Sequence, residues 1–279
     1  MTSENLKIFD KQQLNSPIIL IGRGGSGTRL LSYLMRKNGL FIGNEINASE
    51  DSVEWVELLY ELVVSSLPNR PDIFGNVWQQ ALREKAENIL SIGDLQATRP
   101  WGWKLPETML ALPEVCHAFT NAKIIHLVRH PVSSSLRRTH MTSRLNNPVG
   151  KEVLERAYKA AGWDYSKILE HEPYQHNAVS WIYQLTQVRQ YAENYLKPEQ
   201  YLEVRFEDLC NTPVKVANTI RKFLNWSELD SSCLKIDPLR TKAYESSDPR
   251  IDEIANLCNE LASELGYQEY LELLSSPLC

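Results

Sequence analysis

"SPIILIGRGGSGTRLLSYLMRKNG", residues 16–39, opens with a short apolar run, turns through glycines and continues with helical spacing. "PIILI" (17–21) is β-rich and unbroken by polar residues, as a strand buried on both faces is. Gly22, Gly24, Gly25 and Gly27 allow a tight turn with N–H groups aimed inward, and the periodic segment 28–38 is closed by Gly39. A glycine turn at a helix N-terminus binds phosphate-like anions through free N–H groups and the helix dipole. The spacing from Gly22 to Gly27 is that of the phosphate loop GxxxxGK[ST], yet Thr28 stands where the lysine belongs, which weakens an ATPase or kinase reading. A plain strand-to-helix turn is the other meaning of the pattern.

A second stretch, "AKIIHLVRHPVSSSLRR" (122–138), has the same strand-then-helix form. In magnesium-dependent phosphate-loop enzymes such a strand commonly ends in an aspartate that holds the metal through water. Here it ends in Arg129, a cation that binds an anion directly, and Ser133, Ser134 and Ser135 follow Pro131 at a helix start, where hydroxyls and free N–H groups can take phosphate oxygens. A capped helix with a surface arginine is the simpler alternative.

Charge placement joins the two stretches. The net charge is -5, so the chain as a whole is no binder of polyanions and carries no nucleic-acid signature. Yet the windows 11–44 and 115–151 contain no acid at all, while holding Arg23, Arg29 and Arg36 in the first and Arg129, Arg137, Arg138 and Arg144 in the second. Two acid-free windows imply one shared anion site.

The remaining pattern sets the fold. "KIIHLV" (123–128), "YLEVRF" (201–206) and "WGWKL" (101–105) read as further strands, and helical patterns cover about 50–66, 72–91, 131–143, 175–196, 213–224 and 250–265. Strands alternating with helices predict an α/β protein with three layers, α/β/α, around a mainly parallel central sheet. With 279 residues the chain suffices for one large domain, 1–279, in which 144–175 breaks the rhythm as an insertion, either a lid near the site or a decorative excursion. Five scattered cysteines without CxxC spacing argue against zinc or a disulfide framework. The N-terminus lacks the apolar stretch of a signal peptide, and no run of about 18 apolar residues exists, so a soluble, cytoplasmic protein without a membrane span is expected.

At these residues the chain resembles the sulfotransferases that use 3′-phosphoadenosine 5′-phosphosulfate (PAPS), whose fold is like that of the phosphate-loop NTPases. "GGSGTR" (24–29) is similar to that family's "PKSGTT" loop, Arg129 with Pro131 and a following serine to its strand-end motif, and "YLEVRFEDLCNTPVKVANTIRKFLNW" (201–226) to its "EDL...P...i..FL" strand and helix. The resemblance implies that Arg23, Gly24, Gly25, Ser26, Gly27, Thr28 and Arg29 cradle the 5′-phosphosulfate. It further implies that Arg129 and a serine grip the 3′-phosphate, with Ser135 preferred over Ser133 and Ser134, and that Arg137 and Arg240 assist. Two departures stand out: the family usually has Lys or Arg where Gly25 stands, and the serines follow Arg129 more closely than usual.

The implied reaction moves a sulfuryl group from PAPS to a hydroxyl or amine, leaves 3′,5′-ADP (PAP) and needs no metal. Aligning "LP" places Lys104 in the catalytic segment, either as a base of lowered pKa or as the cation that neutralises sulfuryl oxygens. Glu45 is the candidate base with Asp51 in reserve, and Arg23 or Arg29 would supply charge at the leaving oxygen. Trp101 and Trp103 flank Lys104 and either line an acceptor pocket or fill the core. A kinase with a degenerate phosphate loop and a non-catalytic PAP-binding protein are the competing functions. The acceptor, whether carbohydrate, lipid, peptide or small metabolite, and the oligomeric state are not written in the sequence.

Overall fold

Ile18–Ile21 forms strand β1, buried along its whole length, as an unbroken apolar run requires. In this computed structural model, which describes residues 11–66, 76–92, 99–237 and 247–267, β1 lies inside a four-stranded sheet of order β2-β1-β3-β4. The partners are β2 (Gly102–Lys104), β3 (Lys123–Val128) and β4 (Tyr201–Arg205), all parallel. Ile19 lies between Trp103 on one side and Ile124 on the other.

The helices fill the connections. A short turn α1 (Lys11–Leu14) precedes β1, and α2 (Thr28–Lys37), α3 (Val56–Ser66) and α4 (Asn76–Ile92) separate β1 from β2. Helix α5 (Leu112–Ala118) leads to β3, whereas α6 (Pro131–Ser135), α7 (Pro148–Ala160) and α8 (Pro173–Tyr195) lie between β3 and β4. The chain continues through α9 (Phe206–Asn211), α10 (Pro213–Leu224) and α11 (Arg250–Glu264).

Strand alternation sorts the core into two layers. Ile19 and Ile21 of β1, with Ile124 and Val128 of β3, face a cluster built by α3, α4, α5, α8 and α11. Ile18 and Leu20, with Ile125 and Leu127, face α2, α9 and α10. This period of two produces the expected three-layer architecture. The chain leaves β1 toward β2 on one side and later enters β3 on the other, so the crevice of the sheet opens between the carboxyl ends of β1 and β3.

Two expectations need revision, and one alternative is decided. The helix foreseen over 131–143 stops at Ser135, and only a single 3-10 turn, Met141–Ser143, follows. Its ending has a tertiary cause: Asn177 Nδ2 of α8 donates to the carbonyls of Ser135 at 2.9 Å and Arg137 at 3.3 Å, oxygens that a continuing helix would use itself. The helix foreseen from about 50 begins only at Val53, because Asn47 Oδ1 accepts the N–H groups of Ser49 and Asp51 and folds them into a turn. Trp101 and Trp103 belong to the core. Trp103 is fully buried, stacks on Trp55 at 4.2 Å and meets Phe119 edge-on at 5.7 Å. Within the 144–175 segment, Leu154, Ala157, Tyr158 and Ile168 pack on Val179 of α8.

The Trp103 cluster joins β2 to the turn ahead of α3 and to Phe119 after α5, so Trp103→Ala is expected to lower stability by roughly 3–5 kcal/mol. Urea unfolding followed by fluorescence reads this as a lower midpoint with an unchanged slope; an unchanged midpoint would remove Trp103 from the supporting core.

Candidate active site

After β1 the chain makes a turn in which Ser26 N–H donates to the Arg23 carbonyl at 2.9 Å, and it then enters α2 at Gly27. Gly25 (φ 92) and Gly27 (φ 89) adopt the left-handed conformation that glycine takes at no steric cost. Gly27 has a second constraint, since a Cβ there would lie 2.3 Å from the Phe206 ring. The first turn of α2 thereby directs its free N–H groups and dipole into the crevice.

Arg129, at the end of β3, comes to the same place. Its Nη1 lies 3.5 Å from the Gly25 carbonyl, and its guanidinium sits 4.2 Å over the centre of the Phe206 ring. Burial, and then the neighbouring Arg137, pushes the Arg129 pKa down to about 10. A cavity of about 420 Å³ opens here, bordered by Gly27, Arg29, Arg129, Arg137, Phe206 and Lys235 among others. In α6, which follows Arg129 in the chain, the Oγ atoms of Ser134 and Ser135 are buried with no hydrogen-bond partner among the described residues. A larger cavity of about 810 Å³ lies beside α8 and α11, where Arg189 pairs with Glu264 at 2.6 Å and with Glu203 at 3.4 Å and Glu193, Lys197 and Glu260 also line the wall.

Helix α8 fixes both anion-facing segments. Asn177 Oδ1 accepts from Arg23 Nη2 at 2.8 Å while its Nδ2 holds the Ser135 and Arg137 carbonyls, and Trp181 Nε1 donates to the Arg129 carbonyl at 3.0 Å. Arg23 therefore lies beneath the turn rather than in its mouth: it is 1% exposed, and its other acceptors are Ser143 Oγ at 2.9 Å and the Gly24 carbonyl at 3.3 Å. No carboxylate among the described residues neutralises it, and burial pushes its pKa down to about 10.

A third group gathers at the end of β2. Lys104 Nζ donates to Asp51 Oδ1 at 2.5 Å and to the Ser49 carbonyl at 3.0 Å. Nearby Glu107 is 2% exposed and bonded to the Tyr60 hydroxyl at 3.3 Å; burial is the main cause that pushes its carboxyl up to about 7. Glu45 is exposed, and its backbone carbonyl accepts from Val53 N–H at 3.0 Å. Arg29 is exposed at the cavity border, and Arg240 lies outside the described residues.

Four residues of the site escape a reading of sequence alone: Tyr60, Glu107, Asn177 and Phe206. Asn177 had a signal, because Asn177, Ser180 and Gln184 form a buried polar stripe at i, i+3 and i+7 on α8. Phe206 sat in plain view at the end of "YLEVRF", in a segment whose similarity pointed to fold and not to chemistry. Among the described residues no cluster of His, Cys, Asp and Glu has a metal-binding arrangement, and no helix is long and apolar enough to cross a membrane.

The profile of the Sulfotransferase family matches residues 17–230, so the chain belongs to the sulfotransferase family. Among solved structures it is similar to the sulfotransferase domain from the curacin biosynthetic pathway, at 20% identity and TM-score 0.48, over 88% of this chain and 98% of that one. It is similar to a sulfotransferase from Alicyclobacillus acidocaldarius at 18% identity and TM-score 0.49, covering 90% and 96% of the two chains. The sulfotransferase domain of the Synechococcus PCC 7002 olefin synthase gives 20% identity and TM-score 0.45, covering 94% and 96%. No curated protein sequence matches significantly.

Glu107 makes stability depend on pH. Its carboxyl holds a proton more tightly in the folded chain than in the unfolded one, so this contribution is complete below about 4.5 and is lost as pH rises through about 7. Urea midpoints measured at about pH 5 and about pH 7.5 should therefore show Glu107→Gln gaining on the parent protein at the higher pH; parallel midpoints would show that the carboxyl titrates normally.

Proposed function

We propose that the protein is a sulfotransferase that takes PAPS as donor and sulfates a hydroxyl or amine of an acceptor still to be found. One observation carries the reading: the glycine turn after β1 and the Arg129 segment after β3 border one cavity, to which Arg29, Arg129, Arg137 and Lys235 bring positive charge alongside Glu50 and Asp237, and the Arg129 segment carries two serine hydroxyls with no hydrogen-bond partner among the described residues. A cradle of that kind suits a ligand with two separated anionic groups.

When bound, PAPS supplies an activated sulfuryl group on a phosphate leaving group. The N–H groups from Gly24 to Arg29 would hold the phosphosulfate end, while Arg129, Arg137 and Ser134 or Ser135 would hold the 3′-phosphate. Arg23 acts through its field from beneath the turn, where a buried charge without a counter-ion favours an anion above it. Lys104, ion-paired with Asp51, is taken as the cation of the reacting centre rather than its base. For the base, the buried Glu107 suits the task better than the exposed Glu45, since a proton acceptor works best with a pKa near the working pH. The chain is taken as one domain in the cytoplasm, with 144–175 as its insertion.

Calorimetry tests the donor assignment. Arg129→Ala should weaken 3′,5′-ADP by roughly 1.5–3 kcal/mol, about ten- to a hundredfold, and leave 5′-AMP nearly unchanged. Equal losses for the two ligands would move the 3′-phosphate elsewhere, and a preference for ATP over 3′,5′-ADP in a thermal-shift comparison would favour a kinase. Lys104→Ala should abolish PAP release from PAPS with little change in nucleotide affinity; retained release would place the reacting centre away from β2. Tight PAP binding with no transfer to any acceptor would mark a non-catalytic binder.

A further inference from the structure

The imidazole of His140 has no part in the scheme above, yet it lies against the turn. A Cβ built on Gly24 would fall 1.9 Å from His140 Cγ, 2.0 Å from Cδ2 and 2.3 Å from Nδ1, so only a glycine at 24 admits the ring. Arg23, Lys104, Arg144 and Arg138 surround it with positive charge.

Its hydrogen bonds fix which nitrogen carries the proton. Nδ1 lies 3.3 Å from the backbone N of Thr142 and 3.1 Å from Thr142 Oγ1. A backbone N–H can only donate, which makes Nδ1 an acceptor and leaves the ring proton on Nε2. Thr142 is itself fully buried and meets Gln184 Nε2 of α8 at 3.3 Å, so the anchor of the ring is part of the α8 framework. Nε2 bonds to no described residue and is not one of the sealed, unpartnered atoms of the interior, so it remains accessible.

We infer that His140 is a catalytic residue of the sulfuryl transfer, presenting a neutral Nε2–H to negative charge held at the Gly24 turn, and is not the general base. The inference rests on the sulfotransferase reading above. Burial first, and then the surrounding cations, hold the ring far below ordinary histidine values, with its pKa down to about 3, so the donor is neutral across the physiological range. A neutral donor contributes a hydrogen bond without adding one more repelling cation to that group. Oriented donors of this kind are worth about a hundred- to a thousandfold in rate.

Two measurements on the full-length chain test it. Nitrogen-15 NMR of the imidazoles, with the His140 signals assigned by their loss in His140→Gln, should show the proton on Nε2; a proton on Nδ1 overturns the inference. Release of PAP from PAPS with water as the acceptor should fall about a hundredfold or more in His140→Ala and His140→Phe, and stay within about fivefold of the parent in His140→Gln, whose amide restores a donor near the Nε2 position. Equal losses in all three variants, or none in any, overturn it as well. Calorimetry with 3′,5′-ADP separates the two levels. Binding within about threefold of the parent in every variant, together with a failed tautomer or rescue result, overturns the role of His140 alone, whereas no binding by the parent protein overturns the donor reading and this role with it.

Discussion

The site depends on one side chain that does not itself line the cavity. Asn177, buried in α8, accepts from Arg23 through its oxygen and donates to the Ser135 and Arg137 carbonyls through its nitrogen. One amide thus ties the loop after β1 to the segment after β3, two stretches far apart in the chain. An interior amide left half-bonded costs on the order of 1–3 kcal/mol, so the arrangement is close to all-or-none. Trp181, one turn further on, adds the bond to the Arg129 carbonyl and pins the same segment again.

Around that clamp the charges divide by role. Arg129 and Arg137 border the cavity, Lys104 stands across the turn with Asp51, and Arg23 lies beneath with only neutral acceptors. Carboxylates stand near these cations too: Glu207 accepts from His130 N at 3.1 Å and from the Tyr267 hydroxyl at 2.9 Å, while Glu50, paired with Arg36 at 2.6 Å, and Asp237 both border the cavity. Three of the basic residues at the cavity, Arg29, Arg129 and Arg137, come from the two acid-free windows of the sequence.

Much of the fold was legible because buried parallel strands leave short β-rich runs: the unbroken apolar run 17–21 became the fully buried β1, and the runs at 101–105, 123–128 and 201–206 became β2, β3 and β4 although charged residues interrupt them. The convergence of the Gly22–Gly27 turn with Arg129 was legible too, through charge placement and through both turns following strands. What stayed hidden was set by contacts distant in sequence. The helix after Pro131 ends because of Asn177, and Glu107 changes character because Tyr60 and the core close over it. His140, one of several nearby histidines without ligand spacing, gains its meaning only from lying against Gly24. Glu45 attracted notice as an acid after a short apolar stretch, but the chain turns it outward and gives the approach to Lys104 to Asp51.

Phe206 carries a consequence for how such a protein can change. Its ring is at once the wall that forbids a side chain at position 27 and the face on which the Arg129 guanidinium rests. Shrinking the ring to admit a larger residue at 27 would strip Arg129 of its aromatic seat, and exchanging Arg129 for lysine would lose the flat stacking that a guanidinium provides. Substitutions at 27, 129 and 206 are therefore epistatic: each is judged by the other two, and drift at any of them must wait for a coordinated exchange.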